Sequence, residues 1–130
     1  VARYHGYDIS EVMLAEARRR LPADRIDLRR GARLETTADY SFASGIFNVL
    51  SGEDASTWRR YVIETLENLD AHSRLGFAFN MLTSRVEWRR DHLFYADPAE
   101  YVTLCLERFS RRVVLRHDYP LWEWTILVRR

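Results

Sequence analysis

The chain has 130 residues, about one domain's worth, and its 47% apolar and 30% charged content is that of a globular protein. Its 20 basic and 19 acidic side chains leave a formal charge of +1, which argues against a polyanion-binding arm or an acidic tail. The one cysteine, Cys105, cannot form an intramolecular disulfide, no apolar run reaches the ~18 residues of a membrane span, and no signal-peptide segment is evident, so a cytoplasmic protein with no membrane partner is expected. All 20 basic residues are Arg, a bias that reads as GC-rich coding rather than as phosphate recognition.

In chain order, RYHGYDI reads as a short aromatic strand, within which the chain already opens at Val1. Ser10 is placed to cap a helix whose apolar face is Met13, Leu14, Ala17 and Leu21, with Arg18, Arg19 and Arg20 in its last turn and Pro22 just beyond its end. RIDLRR alternates as a second strand. Tyr40 to Val49 holds a third, expected to break at Ser44-Gly45, and Gly52 to Ser56 reads as a loop. Trp58, Val62, Thr65, Leu66 and Leu69 make a second amphipathic helix. RLGFAFNML is a continuous apolar run, the pattern of a strand buried on both faces. Asp97, Pro98 and Glu100 form a helix start with a capping box, and Tyr101, Cys105 and Phe109 carry that helix's buried face. RRVVLRHDY and LWEWTILVRR close the chain as two strands; the link is too short for a parallel crossover, so they should pair antiparallel. In the last strand Trp122, Trp124, Ile126 and Val128 share one face. The order β-α-β-β-α-β-α-β-β implies an α/β fold with a mostly parallel sheet, made mixed by the final hairpin.

Ligands of open α/β sheets bind at the carboxyl ends of the strands. The residues there are Asp8, the segment Ser44-Gly45-Ile46-Phe47-Asn48, and Asn80. A strand-end acid can accept bonds from ribose hydroxyls or simply assist the following helix; Gly45 permits close backbone approach or serves a turn. The four His (His5, His72, His92 and His117) show no metal-binding spacing, so no metal is expected. Cys105 lies on a buried helix face and reads as inert core. The loop aromatics Trp88, Phe94, Tyr95 and Tyr119 could wall a pocket or merely pack down.

GYDIS-EVMLAEARRRL resembles the second strand and following helix of class I S-adenosylmethionine-dependent methyltransferases. DYSFASGIFNVL resembles the family's fourth strand, HSRLGFAFNML its fifth, and LRHDYPLWEWTILVRR its closing antiparallel hairpin. The resemblance covers nearly the whole chain, and SGIFN…GFAFNML is similar to one bacterial subgroup of the family. It implies a Rossmann-like methyltransferase fold, S-adenosylmethionine as cofactor and a small-molecule acceptor. Asp8 would then bind the cofactor's ribose and Ile9 its adenine. Ala32 would stand where the family often has an acid for the adenine amino group. Ser44, Gly45 and Phe47 would line the cofactor, Asn48, Asn80 and Tyr95 would face the acceptor, and His92 and His117, with Asp91, are the weak candidates for a base.

Two departures accompany the resemblance. The family's glycine-rich loop after its first strand is absent, and Gly31 is followed by Ala32 rather than an acid. Residues 1–130 therefore read as one partial methyltransferase domain lacking the first strand and helix, inactive alone and belonging to a longer enzyme. In the family's strand order, 3-2-1-4-5-7-6, removing the first strand would leave its neighbours about 10 Å apart, with unpaired edges open to self-association. The alternative function is a non-catalytic, partner-regulating module with a decayed cofactor site. Nucleic-acid binding is disfavoured because the chain has no basic surplus.

Overall fold

The computed structural model describes residues 3–130, so the expected start of the first strand at Val1 lies outside the described residues. The elements follow the expected order, and the chain divides into two compact units, residues 1–37 and 38–130.

The first unit is a β-α-β crossover unit. β1 (Tyr4–Asp8) and β2 (Ile26–Arg30) pair in parallel, from Tyr4 opposite Ile26 to Asp8 opposite Arg30. A Cβ at Gly6 would lie 2.5 Å from the Leu28 side chain, which would have to shift to admit it. α1 (Glu11–Arg20) crosses between the strands, and the Ser10 hydroxyl caps it by accepting the Met13 N–H at 3.3 Å. The Arg-rich last turn is neutralised along the helix, Arg18 by Glu11 and Arg19 by Glu16. The expected apolar face of this helix is only partly covered. Leu14 is buried, whereas Met13 is 59% and Leu21 40% exposed, because a two-stranded sheet is too narrow to cover more than one ridge of a helix.

The second unit is a four-stranded sheet in the order β3-β4-β6-β5, with β3 at Ala38–Ala43, β4 at Ser73–Leu82, β5 at Arg112–Arg116 and β6 at Glu123–Arg129. β3 runs parallel to β4, and β6 runs antiparallel to both β4 and β5, which is the expected closing hairpin. Taken separately, the β2-β1 order of the first unit and the β3-β4-β6-β5 order of the second each agree with the order the family resemblance implies.

α2 (Ala55–Ala71) begins inside the stretch expected to be a loop, because Asp54 caps it, accepting the Thr57 N–H at 2.8 Å. It buries Val62, Leu66 and Leu69. α3 (Pro98–Arg108) starts where expected, with the Asp97 carboxylate accepting the Ala99 N–H at 3.1 Å. The capping box does not close: Glu100 instead pairs with Arg59 of α2 at 2.6 Å, since an Arg across the groove is a stronger partner for a carboxylate than a backbone N–H.

β4 is not buried evenly on both faces. Phe77, Phe79 and Met81 are fully covered, whereas Ala78, Asn80 and Leu82 are half-buried. The rings explain the asymmetry. Phe79 meets Tyr101 of α3 edge-on at 6.3 Å and Phe47 at 6.4 Å, and Phe47 meets Tyr61 of α2 at 6.3 Å, so both helices cover the same face of the sheet. Trp124, Ile126 and Val128 join that face, and Cys105 is fully buried beneath it, where burial pushes its thiol up to about 12. On the opposite face Phe42, Ala78, Leu127 and Val114 form one register row across all four strands, with Phe42 62%, Val114 48% and Leu127 38% exposed. Trp122, expected on the core face, precedes the strand and is 68% exposed.

Gly76 marks the closest strand approach. Its φ is +153°, and a Cβ there would stand 2.3 Å from the Val128 carbonyl oxygen. No helix among the described residues is long and apolar enough to cross a membrane.

Candidate functional site

The strand ends of the first unit carry three of the expected residues. Asp8 closes β1, and its Oδ1 accepts the Ser10 N–H at 2.8 Å, so the carboxylate does assist the start of α1. Its second oxygen accepts no bond from the described residues and is free to take one from a ligand hydroxyl. Ile9, next in the chain, is 68% exposed, an unusual position for a large aliphatic side chain, and its carbonyl accepts Arg30 Nε at 3.1 Å. After β2, Gly31 donates its N–H to the Asp8 carbonyl at 3.1 Å, and Ala32 is exposed with no side-chain polar group to offer.

In the second unit, β3 ends at Ala43 and the chain turns through Ser44, Gly45, Ile46, Phe47 and Asn48. Gly45 has a φ of +73°, and no atom lies within 4 Å of where its Cβ would be, so its outer side faces open space. Asn80 of β4 holds this turn. Its Oδ1 accepts the Gly45 N–H at 2.8 Å, and its Nδ2 donates to Ser44 Oγ at 3.3 Å and to Glu123 Oε2 at 3.0 Å. Asn48 fastens the far end: its Oδ1 accepts the Leu82 N–H at 3.2 Å, and its carbonyl accepts the Phe94 N–H at 3.0 Å. Both asparagines therefore use their amides to shape the strand ends.

Phe47 does not present its side chain to a ligand. It is fully buried, its ring packed among Tyr61 and Phe79, and its carbonyl accepts Trp58 Nε1 at 2.8 Å. The expectation that its side chain lines the cofactor is corrected by this packing, since the ring fills space between α2 and β4. Ile46, its neighbour, is the outward one, 46% exposed.

The loop from Thr83 to Asp97 is tied down at several points. Thr83 N–H donates to the Trp122 carbonyl at 3.0 Å, Ser84 N–H to the Ala96 carbonyl at 3.0 Å, and Leu50 N–H to the His92 carbonyl at 2.9 Å. This loop, the end of β4 and Trp122 form a half-open cavity of about 230 Å³ lined by Leu82, Val86, Glu87, Trp88, Arg90, Leu93, Tyr95 and Trp122, with Trp88 66% and Trp122 68% exposed. Tyr95 is thus a wall of the cavity, and its hydroxyl accepts the Arg90 N–H at 3.0 Å. Phe94 and Tyr119, the other loop aromatics expected there with Trp88, are not in the lining; Tyr119 is bonded through its hydroxyl to Thr125 at 2.8 Å. His92 and His117 are exposed and in different segments, and no hydrogen bond among the described residues joins them. Sequence reasoning missed Glu123, the partner of Asn80, and Glu87, Val86, Leu93 and Trp122 of the cavity. Only the position of Trp122 at the end of an alternating run hinted at it.

The strand order within each unit is that of class I S-adenosylmethionine-dependent methyltransferases, and the chain belongs to that family. It is 45% identical over 130 residues to a Mycobacterium tuberculosis protein named "Putative methyltransferase Rv1506c", covering 98% of this chain and 78% of the relative. No family model matches. Among solved structures, magnesium protoporphyrin IX methyltransferase (ChlM) from Synechocystis PCC 6803 with bound SAH superposes with a TM-score of 0.70 at 12% identity, over 99% of this chain and 64% of that one. The DhpI-SAH complex gives 0.63 at 15% identity over 98% and 66%. A methyltransferase from Mesorhizobium loti gives 0.59 at 16% over 100% and 81%. At these identities the structures bear on the fold.

Proposed function

We propose that the protein transfers a methyl group from S-adenosylmethionine to a small-molecule acceptor, in the cytoplasm. The observation that carries this reading is the strand-end chemistry of a chain in this family. Asp8 keeps one carboxylate oxygen unbonded beside an exposed Ile9, and Gly45 turns an open backbone outward.

Unit by unit, the chemistry of these residues suits the cofactor: an acceptor and an apolar surface in the first, an open backbone in the second. When bound, the cofactor supplies a sulfonium methyl that is already activated, so the protein's part is binding, orientation and exclusion of water. Asp8 accepts the ribose hydroxyls with its unbonded oxygen. Ile9 offers an apolar surface for the adenine, and with Ala32 after β2 any adenine amino contact there falls to the backbone. Ser44 and Gly45 line the methionine end with main chain, a close approach that a side chain at Gly45 would block. Asn80 and Asn48 act as positioning residues for that turn, and Tyr95 faces the acceptor from the loop. A proton lost from a hydroxyl or amine acceptor would pass to His92 or His117, with Asp91 nearby, or to solvent.

Calorimetric titration with S-adenosylmethionine tests the reading, with Asp8→Ala as control. Saturable binding that the variant weakens by about tenfold or more, the loss of a charge-assisted bond, is the expected result. One observation favours the non-catalytic alternative, the lack of an acid at Ala32, and binding that Asp8→Ala leaves unchanged would count against the reading given to Asp8.

A further inference from the structure

The cavity beside Trp122 has a composition that selects its occupant. Six of its eight lining residues are apolar or aromatic, with Trp88, Tyr95 and Trp122 as flat walls and Leu82, Val86 and Leu93 between them. Its volume is about 230 Å³, whereas an apolar cavity of about 150 Å³ already takes benzene. The space therefore suits one aromatic ring with a short substituent.

The charge at the cavity comes from Arg90 and Glu87. The Arg90 guanidinium lies 5.4 Å from the Trp88 ring centroid, and no carboxylate pairs with it among the described residues. Most of the chain's arginines do have an acidic partner, as Arg59, Arg74, Arg108 and Arg116 do. Arg89, without a carboxylate partner as well, lies 5.3 Å from the Tyr95 ring. Arg89 donates to the Ser84 carbonyl at 3.4 Å, whereas the Arg90 guanidinium, held against Trp88 in the cavity lining, makes no side-chain hydrogen bond among the described residues and leaves its fork for a planar carboxylate. Glu87, exposed and in the lining, supplies the opposing charge.

The cavity is also coupled to the turn at Gly45. Leu82 N–H is bonded to the Asn48 side chain, and Phe94 N–H, between the lining residues Leu93 and Tyr95, is bonded to the Asn48 carbonyl.

We infer that this cavity binds a one-ring aromatic compound carrying a carboxylate, the ring between Trp88, Tyr95 and Trp122 and the carboxylate on Arg90. That this compound is the methyl acceptor rests on the methyl-transfer reading; the binding itself does not.

The four tryptophans provide the readout. Trp58 and Trp124 donate their indole N–H groups internally, to the Phe47 and Ala96 carbonyls at 2.8 and 3.0 Å. Trp88 and Trp122 make no such bond and line the cavity. The full chain, with its indole nitrogens labelled, is titrated by NMR with 4-hydroxybenzoate, its neutral amide 4-hydroxybenzamide, and the cationic 4-hydroxybenzylamine. The Trp88 and Trp122 resonances should shift saturably while those of Trp58 and Trp124 stay fixed. The benzoate should bind about fivefold tighter than the amide, the size of one solvent-exposed ion pair, and Arg90→Gln should erase that difference while leaving the amide's affinity in place. No saturable shift with any of the three compounds overturns the inference. So does tightest binding by the amine, which would give the cavity to Glu87, and so does an unchanged benzoate preference in Arg90→Gln. Calorimetry with S-adenosylmethionine on the same sample judges the methyl-transfer reading separately.

Discussion

Asn80 is the side chain on which the candidate site most depends, and its removal can be worked through in numbers. Asn80→Ala deletes the acceptor of the Gly45 N–H at 2.8 Å and the donor to Glu123 at 3.0 Å, together with a longer bond to Ser44 at 3.3 Å. A neutral bond of this kind contributes about 0.5–1.5 kcal/mol net, and one to a carboxylate about 1.5–3 kcal/mol. Ser44 and Gly45 are exposed, so water replaces much of what they lose, while half-buried Glu123 keeps most of its penalty. The expected cost is about 2 kcal/mol, or a fall in melting temperature of about 8 °C for a unit of this size. Denaturant unfolding should show a lower midpoint at unchanged slope, and affinity for S-adenosylmethionine should fall with it, because the turn that carries Gly45 is no longer held. Asn80→Asp separates the two functions of the amide. It keeps an acceptor for Gly45 but sets a second carboxylate against Glu123. That pair would hold a proton more tightly folded than unfolded, so the variant should be most stable below the ordinary carboxylate range and lose stability as pH rises through it. An Asn80→Ala protein that unfolds within about 0.5 kcal/mol of the parent, the size of an ordinary surface substitution, would refute the reasoning.

Four other outcomes follow from single residues. Tyr101 is 1% exposed and its hydroxyl has no partner among the described residues, so Tyr101→Phe should raise stability by about 1 kcal/mol in the same unfolding assay. Gly76→Ala should cost about 2–5 kcal/mol, the sum of an unfavourable φ and a clash with the Val128 carbonyl, visible as a large fall in melting temperature. Cys105, its thiol pushed up to about 12 by burial, should resist a disulfide reagent at pH 8 until the chain unfolds, so labelling should follow denaturant rather than reagent concentration. Asp54 is held down to about 2 chiefly by the Thr57 backbone N–H and then by the Ser56 and Thr57 hydroxyls. Its contribution is present above the unfolded carboxylate pKa and lost as pH falls through about 2, and Asp54→Asn, which keeps the cap without the charge, should flatten that part of the stability curve.

The helix starts were legible because capping is local chemistry. Ser10 and Asp97 lie beside the N–H groups they accept, and nothing distant competes for them. Glu100 misled because its competitor, Arg59, is 41 residues away. Strand order was legible through the family resemblance and the short final link. The burial of β4 was not: RLGFAFNML reads as covered on both faces, yet which face α2 and α3 share depends on where Phe47, Tyr61 and Tyr101 meet Phe79 in space.

The candidate site divides along the same line. A glycine at +73° and an acid at a strand end announce themselves, since few other residues serve there. A side chain that acts through a neighbour does not. Phe47 and Ile46 are adjacent and apolar, and nothing in their identities says that the first anchors the turn while the second faces outward; the packing of α2 decides it. Glu123 was invisible as the partner of Asn80 because a cross-strand bond depends on register, and a shift of one residue would have turned it to the other face of the sheet. The cavity was hidden for a third reason. Its walls come from a loop whose form is set by main-chain bonds to residues 48, 50, 82, 96 and 122, bonds that almost any sequence could make. Side-chain identity therefore tells which compound the cavity would favour, while the main-chain bonds bring those side chains together from distant parts of the chain.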